Sequence, residues 1–279
     1  MAELEISTDE IGLGKVLVIL FYLFITLIIL WFSANYPEEQ ATATWYFGLS
    51  MFGLIMITMD LVIKKAGGIK IPDVPNTIIW EKGPLFAKFG KRWPIIMVGV
   101  AAAFAVGNFF LIGSHTITQI VAAPTFQAVE LGSAGTALMS GLAGISENMI
   151  FIYFLPATIF ALIAYFTKNP ILALILAILI SMPTFAVYHF LRYGTAQITN
   201  TVNVAIMAGI WTTIAFLTRN TLISDAWHFS NNAAIIYWSS VGSSAITLWI
   251  GMIGMFAILA VTGIAAMKVS SRSGRLIGQ

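Results

Sequence analysis

Glu147, His189 and His228 interrupt segments that are otherwise apolar enough to span a bilayer. A carboxylate beside imidazoles can take a proton from water. An ionisable group at membrane depth costs about 2.5–3.5 kcal/mol even on the most lenient insertion scale, so each of the three marks a candidate functional site. In GISENMIFIYFLPATIFALIAYF, Glu147 stands well inside its segment, at a depth of about 15 Å along a helix. The structural alternative is a glutamic acid bonded across helices for packing alone. In MPTFAVYHFLRYG, Phe185 and His189 are four residues apart and share a helix face, and Pro183 can turn that helix inward. A lone intramembrane histidine is also a common interhelical hydrogen-bonder. His228 and Asn232 in ISDAWHFSNNAAIIYW are again four apart, which sets two neutral donors side by side, as an oxyanion requires. Asn231 falls on another face, and Asp225 reads as a helix-start residue.

Taken in order, ISENMIFI, FAVYH and HFSNN resemble the three motifs of the CAAX-protease and bacteriocin-processing (CPBP) family of glutamic intramembrane proteases, which includes the prenyl-protein endopeptidases. The first motif of that family is E-E-x-x-F-R, met here by Glu147 and Phe151; F-x-x-x-H is met by Phe185 and His189, and H-x-x-x-N by His228 and Asn232. The likeness spans roughly residues 140–240. It implies an intramembrane endopeptidase in which Glu147 activates water with help from His189, His228 and Asn232 stabilise the oxyanion, and Phe151 and Phe185 support them. It implies no cofactor and no metal. The family's second glutamate is Asn148 here and its arginine is Ile152, four residues apart. Losing both members of such an intrahelical pair is less damaging than stranding one charge in the membrane.

The elements that must position these groups are helices. The chain is 59% hydrophobic and 9% charged, against about 25% charged in a soluble domain. Eight apolar stretches recur, at about 13–34, 44–63, 94–113, 138–166, 170–192, 199–217, 221–241 and 245–267. Alternating decamers are lacking, which excludes a barrel and leaves an all-α polytopic membrane bundle. The organisation expected is an N-terminal two-helix pair (1–66), a cytoplasmic or interfacial loop (67–93), a six-helix core carrying the site (94–267) and a basic cytoplasmic tail (268–279). In the loop, Pro72, Pro75 and Pro84 break helices while Trp80, Phe86, Phe89 and Trp93 interleave with lysines, as suits the headgroup level. Residues 114–137 have the composition of a re-entrant or interfacial helix.

Basic residues set the orientation. With both termini cytoplasmic, Lys64, Lys65, Lys70, Lys82, Lys88, Lys91, Arg92, Lys168, Arg219 and Lys268 fall inside and only Arg192 outside. The acidic start MAELEISTDE does not resemble a secretory signal, so the first span is expected to be an uncleaved anchor in the cell membrane. A net charge of +2 gives no reason to invoke nucleic acid. The expected partners are membrane lipids and a peptide or protein substrate in or tethered to the membrane. The chain has no cysteine, no H-E-x-x-H, no G-x-S-G and no G-x-G-D, which disfavours thiol, zinc, serine and aspartyl proteolysis. The rival class is non-enzymatic: a CPBP-like scaffold or immunity protein, or a proton-coupled transporter with Glu147, the two histidines and His115 as its relay.

Overall fold

The computed structural model describes residues 13–36, 45, 48–55, 57–58, 82–114, 132–193 and 198–275. The expectations for residues 61–81, for 115–131 with His115, and for 276–279 lie outside these residues. What is described is helical, without a strand: α1 (Leu13–Asn35), α2 (48–55), a 3-10 stretch (Pro84–Arg92), α3 (Trp93–Gly113), α4 (Gly132–Asn148), a π-helical turn (Met149–Phe154), α5 (Leu155–Thr167), α6 (Pro170–Tyr193), α7 (Ile198–Thr218), α8 (Leu222–Val241) and α9 (Ile246–Arg275). Five helical stretches are long and apolar enough to cross a membrane: Pro84–Gly113, Ala134–Thr167, Pro170–Leu191, Thr201–Thr218 and Ile246–Val269.

Their outer surface is greasy. Phe166 is 76% exposed, Ile253 69% and Trp249 62%. Such a surface is an association hazard in water and an ordinary one in lipid. Lipid removes the hydrophobic drive between helices, so association relies on close packing and polar contacts. Small residues supply the first: Gly251 of α9 lies against Phe110 of α3, and Gly254 against Val106. The main apolar core gathers the π turn with α5, α6 and α7, and α1 leans on the same group.

α8 is different. It packs against α3, α4 and α7 yet carries Asp225, His228, Asn231 and Asn232, which makes it less apolar than the five stretches above. The polar groups of its first half face protein. Asp225, His228 and Ser230 are buried, and Ser230 accepts from Asn108 of α3 at 3.1 Å. The turn that launches it is recessed too: Thr218, Asn220 and Thr221 are fully buried, and the Thr218 hydroxyl donates to the Asn220 carbonyl at 2.7 Å.

The 3-10 stretch covers that turn. Phe86 does not stay at the surface; it inserts among Met97, Ala101 and Ile223. Just before it, Gly83 sits so close to the turn that a Cβ would overlap the Thr218 carbonyl. Lys82, Lys88, Lys91 and Arg92 are thereby grouped with Arg219 at one end of the bundle. At the other end the Ser244 amide donates to the Gly113 carbonyl at 2.9 Å. Because backbone cannot yield as a side-chain tip can, Gly83→Ala is expected to lower stability by roughly 1–3 kcal/mol. Thermal unfolding of the detergent-solubilised protein checks this; an unchanged midpoint contradicts it.

Candidate active site

Pro156 shapes the helix that carries Glu147. A proline one residue into α5 has no N–H and its ring crowds the carbonyl four residues back, so the preceding turn widens. Met149–Phe154 is accordingly π-helical, and the Leu155 amide donates to the Ile150 carbonyl, five residues back. The wide turn is packed solid, with Met149, Ile150, Phe151 and Ile152 wholly buried. Ile152 suits its place: a charged side chain there would sit in the apolar core. Phe151 lies 5.0 Å from the Tyr188 ring and 5.2 Å from Phe185.

Immediately before this turn Glu147 is 2% exposed. Its Oε1 accepts from the Tyr188 hydroxyl of α6 at 3.0 Å, and its Oε2 stands 3.3 Å from His228 Nε2 of α8. On the other edge of the imidazole, Nδ1 is 2.8 Å from Asn148 Oδ1. The Asn148 amide nitrogen donates to Asp225 Oδ1 at 3.0 Å, and the Thr221 hydroxyl donates to Asp225 Oδ2 at 2.7 Å. Trp211 of α7 stacks on the His228 ring at 4.4 Å and 22°, while its own carbonyl accepts from Ser224 at 2.9 Å. These contacts hold His228 by Nδ1 and one face, with Glu147 Oε2 within ion-pair range of Nε2 but outside hydrogen-bond geometry.

His189 joins from α6. Its Nδ1 lies 3.0 Å from the Phe185 carbonyl, which can only accept, so Nδ1 carries the hydrogen. The Phe185 ring stands between the histidines, edge-on to His189 at 4.4 Å and to His228 at 5.9 Å. Asn232 enters beside His228 where α8 packs on α4 at Gly144. A Cβ on Gly144 would lie 2.9 Å from Asn232 Nδ2 and 3.1 Å from His228 Cδ2, so a larger residue there would displace both site side chains. Asn232 Nδ2 reaches the Ser140 carbonyl at 3.5 Å, a long contact.

Glu147, His189, His228 and Asn232, with Phe151 and Phe185, therefore lie in one cluster built by α4, the π turn, α6 and α8. The Phe185 ring, in contact with both imidazoles, ties the two histidines into that cluster. Tyr188, Trp211, Thr221, Asp225, Gly144 and the bridging role of Asn148 were not read from the sequence. Asp225 had a visible signal, since it stands one helical turn before His228 and one after Thr221. Among the described residues, no three histidine or acidic side chains are grouped to hold a metal ion.

No protein-family model, curated protein or solved structure matches the chain. The geometry alone makes one firm demand on Asn148. Replacing it by leucine removes a donor from Asp225 and an acceptor from His228, both buried. Asn148→Leu is expected to cost roughly 1–3 kcal/mol, read as an earlier thermal unfolding in detergent; wild-type stability contradicts the network.

Proposed function

We propose that the protein is an intramembrane endopeptidase that hydrolyses a peptide bond in a membrane-embedded or membrane-tethered substrate. The observation that carries this reading is the buried Glu147 carboxyl group 3.3 Å from His228 Nε2, with Asn232 on the same face of α8. Glu147 Oε2 and His228 Nε2 stand within ion-pair range without a hydrogen bond between them, and a small rotation of either side chain would let the pair hold one proton. As carboxylate and imidazolium it is ready for hydrolysis. Glu147 takes a proton from water as the hydroxide oxygen bonds to the scissile carbonyl carbon. His228 Nε2–H, released from the neutralised carboxyl, then donates with Asn232 Nδ2 to the oxyanion. Collapse breaks the C–N bond, and the Glu147 proton leaves on the amine. His189 assists through Nε2, and the Tyr188 hydroxyl holds Glu147 Oε1 throughout. The three motifs that resemble the CPBP family support the same assignment.

The reading places the site in a bundle of eight spans, with α1, the segment containing α2, and α8 added to the five apolar helices, as a multi-pass protein of the cell membrane. Both ends are cytoplasmic in this reading. The common end of Lys82, Lys88, Lys91, Arg92 and Arg219 supports it, because basic residues are retained inside.

A second reading draws on the string Tyr188–Glu147–His228–Asn148–Asp225–Thr221, hydrogen-bonded except at the 3.3 Å Glu147–His228 contact, which could pass protons in a non-proteolytic transporter. One comparison separates them. Purified wild type and Glu147→Gln are incubated in lipid vesicles with a library of membrane-tethered peptides, and products are read by mass spectrometry. The hydrolytic reading expects wild-type cleavage and a loss of about 100-fold or more in the variant. Equal cleavage by both contradicts it, and Glu147-dependent proton flux without cleavage establishes the transporter.

A further inference from the structure

Asp225 has no step of its own in the hydrolysis above, yet it is 7% exposed and each of its carboxyl oxygens takes a side-chain hydrogen bond. We infer that Asp225 is a positioning residue: acting through Asn148, it selects the tautomer of His228 that turns Nε2 toward Glu147.

The inference follows from donors and acceptors. Whether Asp225 is a carboxylate or an acid with its proton on Oδ2 toward Thr221, its Oδ1 can only accept, so the Asn148 side chain must point its amine at Oδ1, 3.0 Å away. That orientation turns Asn148 Oδ1 toward His228 Nδ1 at 2.8 Å. A carbonyl oxygen also only accepts, so the hydrogen on that edge of the ring belongs to Nδ1. Any proton exchanged with Glu147 is then confined to Nε2, 3.3 Å from Oε2. Reversing the amide would set two acceptors together at Asp225 and leave the Nδ1 hydrogen facing an amine. Thr221, one turn earlier on α8, donates to Oδ2 at 2.7 Å and fixes the carboxyl rotamer. Trp211 stacked on the ring resists its rotation. A buried carboxylate that holds an imidazole in its working tautomer is familiar from serine hydrolases; here an amide is inserted between the two, and the carboxylate shares a helix with the histidine.

The effect on turnover rests on the hydrolytic reading; the tautomer does not. The chain has three histidines, so imidazole nitrogens can be assigned in ¹⁵N-histidine-labelled, detergent-solubilised protein, with His228→Gln marking its own signals. Four forms are compared: wild type, Asp225→Ala, Asn148→Asp, and the exchange that combines Asn148→Asp with Asp225→Asn. The exchange keeps each partner: the carboxylate at 148 accepts from His228 Nδ1 and from the amide at 225, whose oxygen accepts from Thr221. Asn148→Asp alone sets two carboxyl groups against each other.

Nδ1 of His228 is expected to carry the hydrogen in wild type and in the exchange, and to lose that preference in Asp225→Ala. In cleavage assays Asp225→Ala and Asn148→Asp are expected to lose about tenfold or more in kcat with KM nearly unchanged, while the exchange returns to within about threefold of wild type. An unprotonated Nδ1 in wild type overturns the inference. So does an unaltered signal or kcat in Asp225→Ala, or an exchange no better than Asn148→Asp; the last comparison conserves volume and decides the matter if Asp225→Ala does not fold. Absence of Glu147-dependent cleavage in wild type defeats the hydrolytic reading instead, and the nitrogen spectrum still decides the tautomer.

Discussion

A carboxyl group and an imidazole 3.3 Å apart inside an apolar bundle impose the constraint on which the rest of the molecule depends. Neither group can sit there alone, because an unpaired charge in a low-dielectric interior costs several kcal/mol. Pairing them requires α4 and α8 to meet within side-chain reach, and Gly144 provides the opening. The requirement then spreads. Glu147 needs a donor for its second oxygen, which brings in Tyr188 of α6; His228 needs a partner for its second nitrogen, which brings in Asn148 and through it Asp225. One buried pair thus recruits polar groups from three helices, and each additional bond narrows the ways those helices can dock.

Lipid sharpens this logic. The outer faces of α6 and α9 gain nothing by leaving lipid for protein, so apolar burial cannot select one docking arrangement. Small residues permit close contact between α3 and α9, and the polar network selects how α4, α6 and α8 come together. α8 follows from the same trade. A helix with so many polar groups is a poor membrane span in isolation, and it is stable here because α3, α4 and α7 surround it and satisfy those groups. Its recessed starting turn, sealed by Phe86 and Gly83, is part of that shielding.

Much of the fold was legible because an apolar run of about 20 residues has one stable solution in a bilayer. The stretches read at 94–113, 170–192 and 199–217 correspond to α3, α6 and α7 within a residue or two. The site residues were legible for a related reason: an ionisable group in such a run stands out, and spacing of four pairs Phe185 with His189 and His228 with Asn232. What stayed hidden depends on contacts between helices. Tyr188 looked like one more aromatic residue in an apolar segment; only the docking of α6 on α4 makes it a donor to Glu147. Asp225 in a first helical turn fits the helix dipole so well that a second role needed no inventing. The π turn was signalled by Pro156, but its consequence, a packed wide turn directly beneath Glu147, is a matter of three-dimensional phase.

Whether Glu147 and His228 work as one unit is the central claim, and a double-mutant cycle on cleavage rate tests it most directly. Glu147→Gln, His228→Gln and the double variant are compared with wild type at saturating substrate. If the pair shares one proton and one task, the double variant loses no more than about what either single loses. Losses that multiply would show two independent groups and contradict the account.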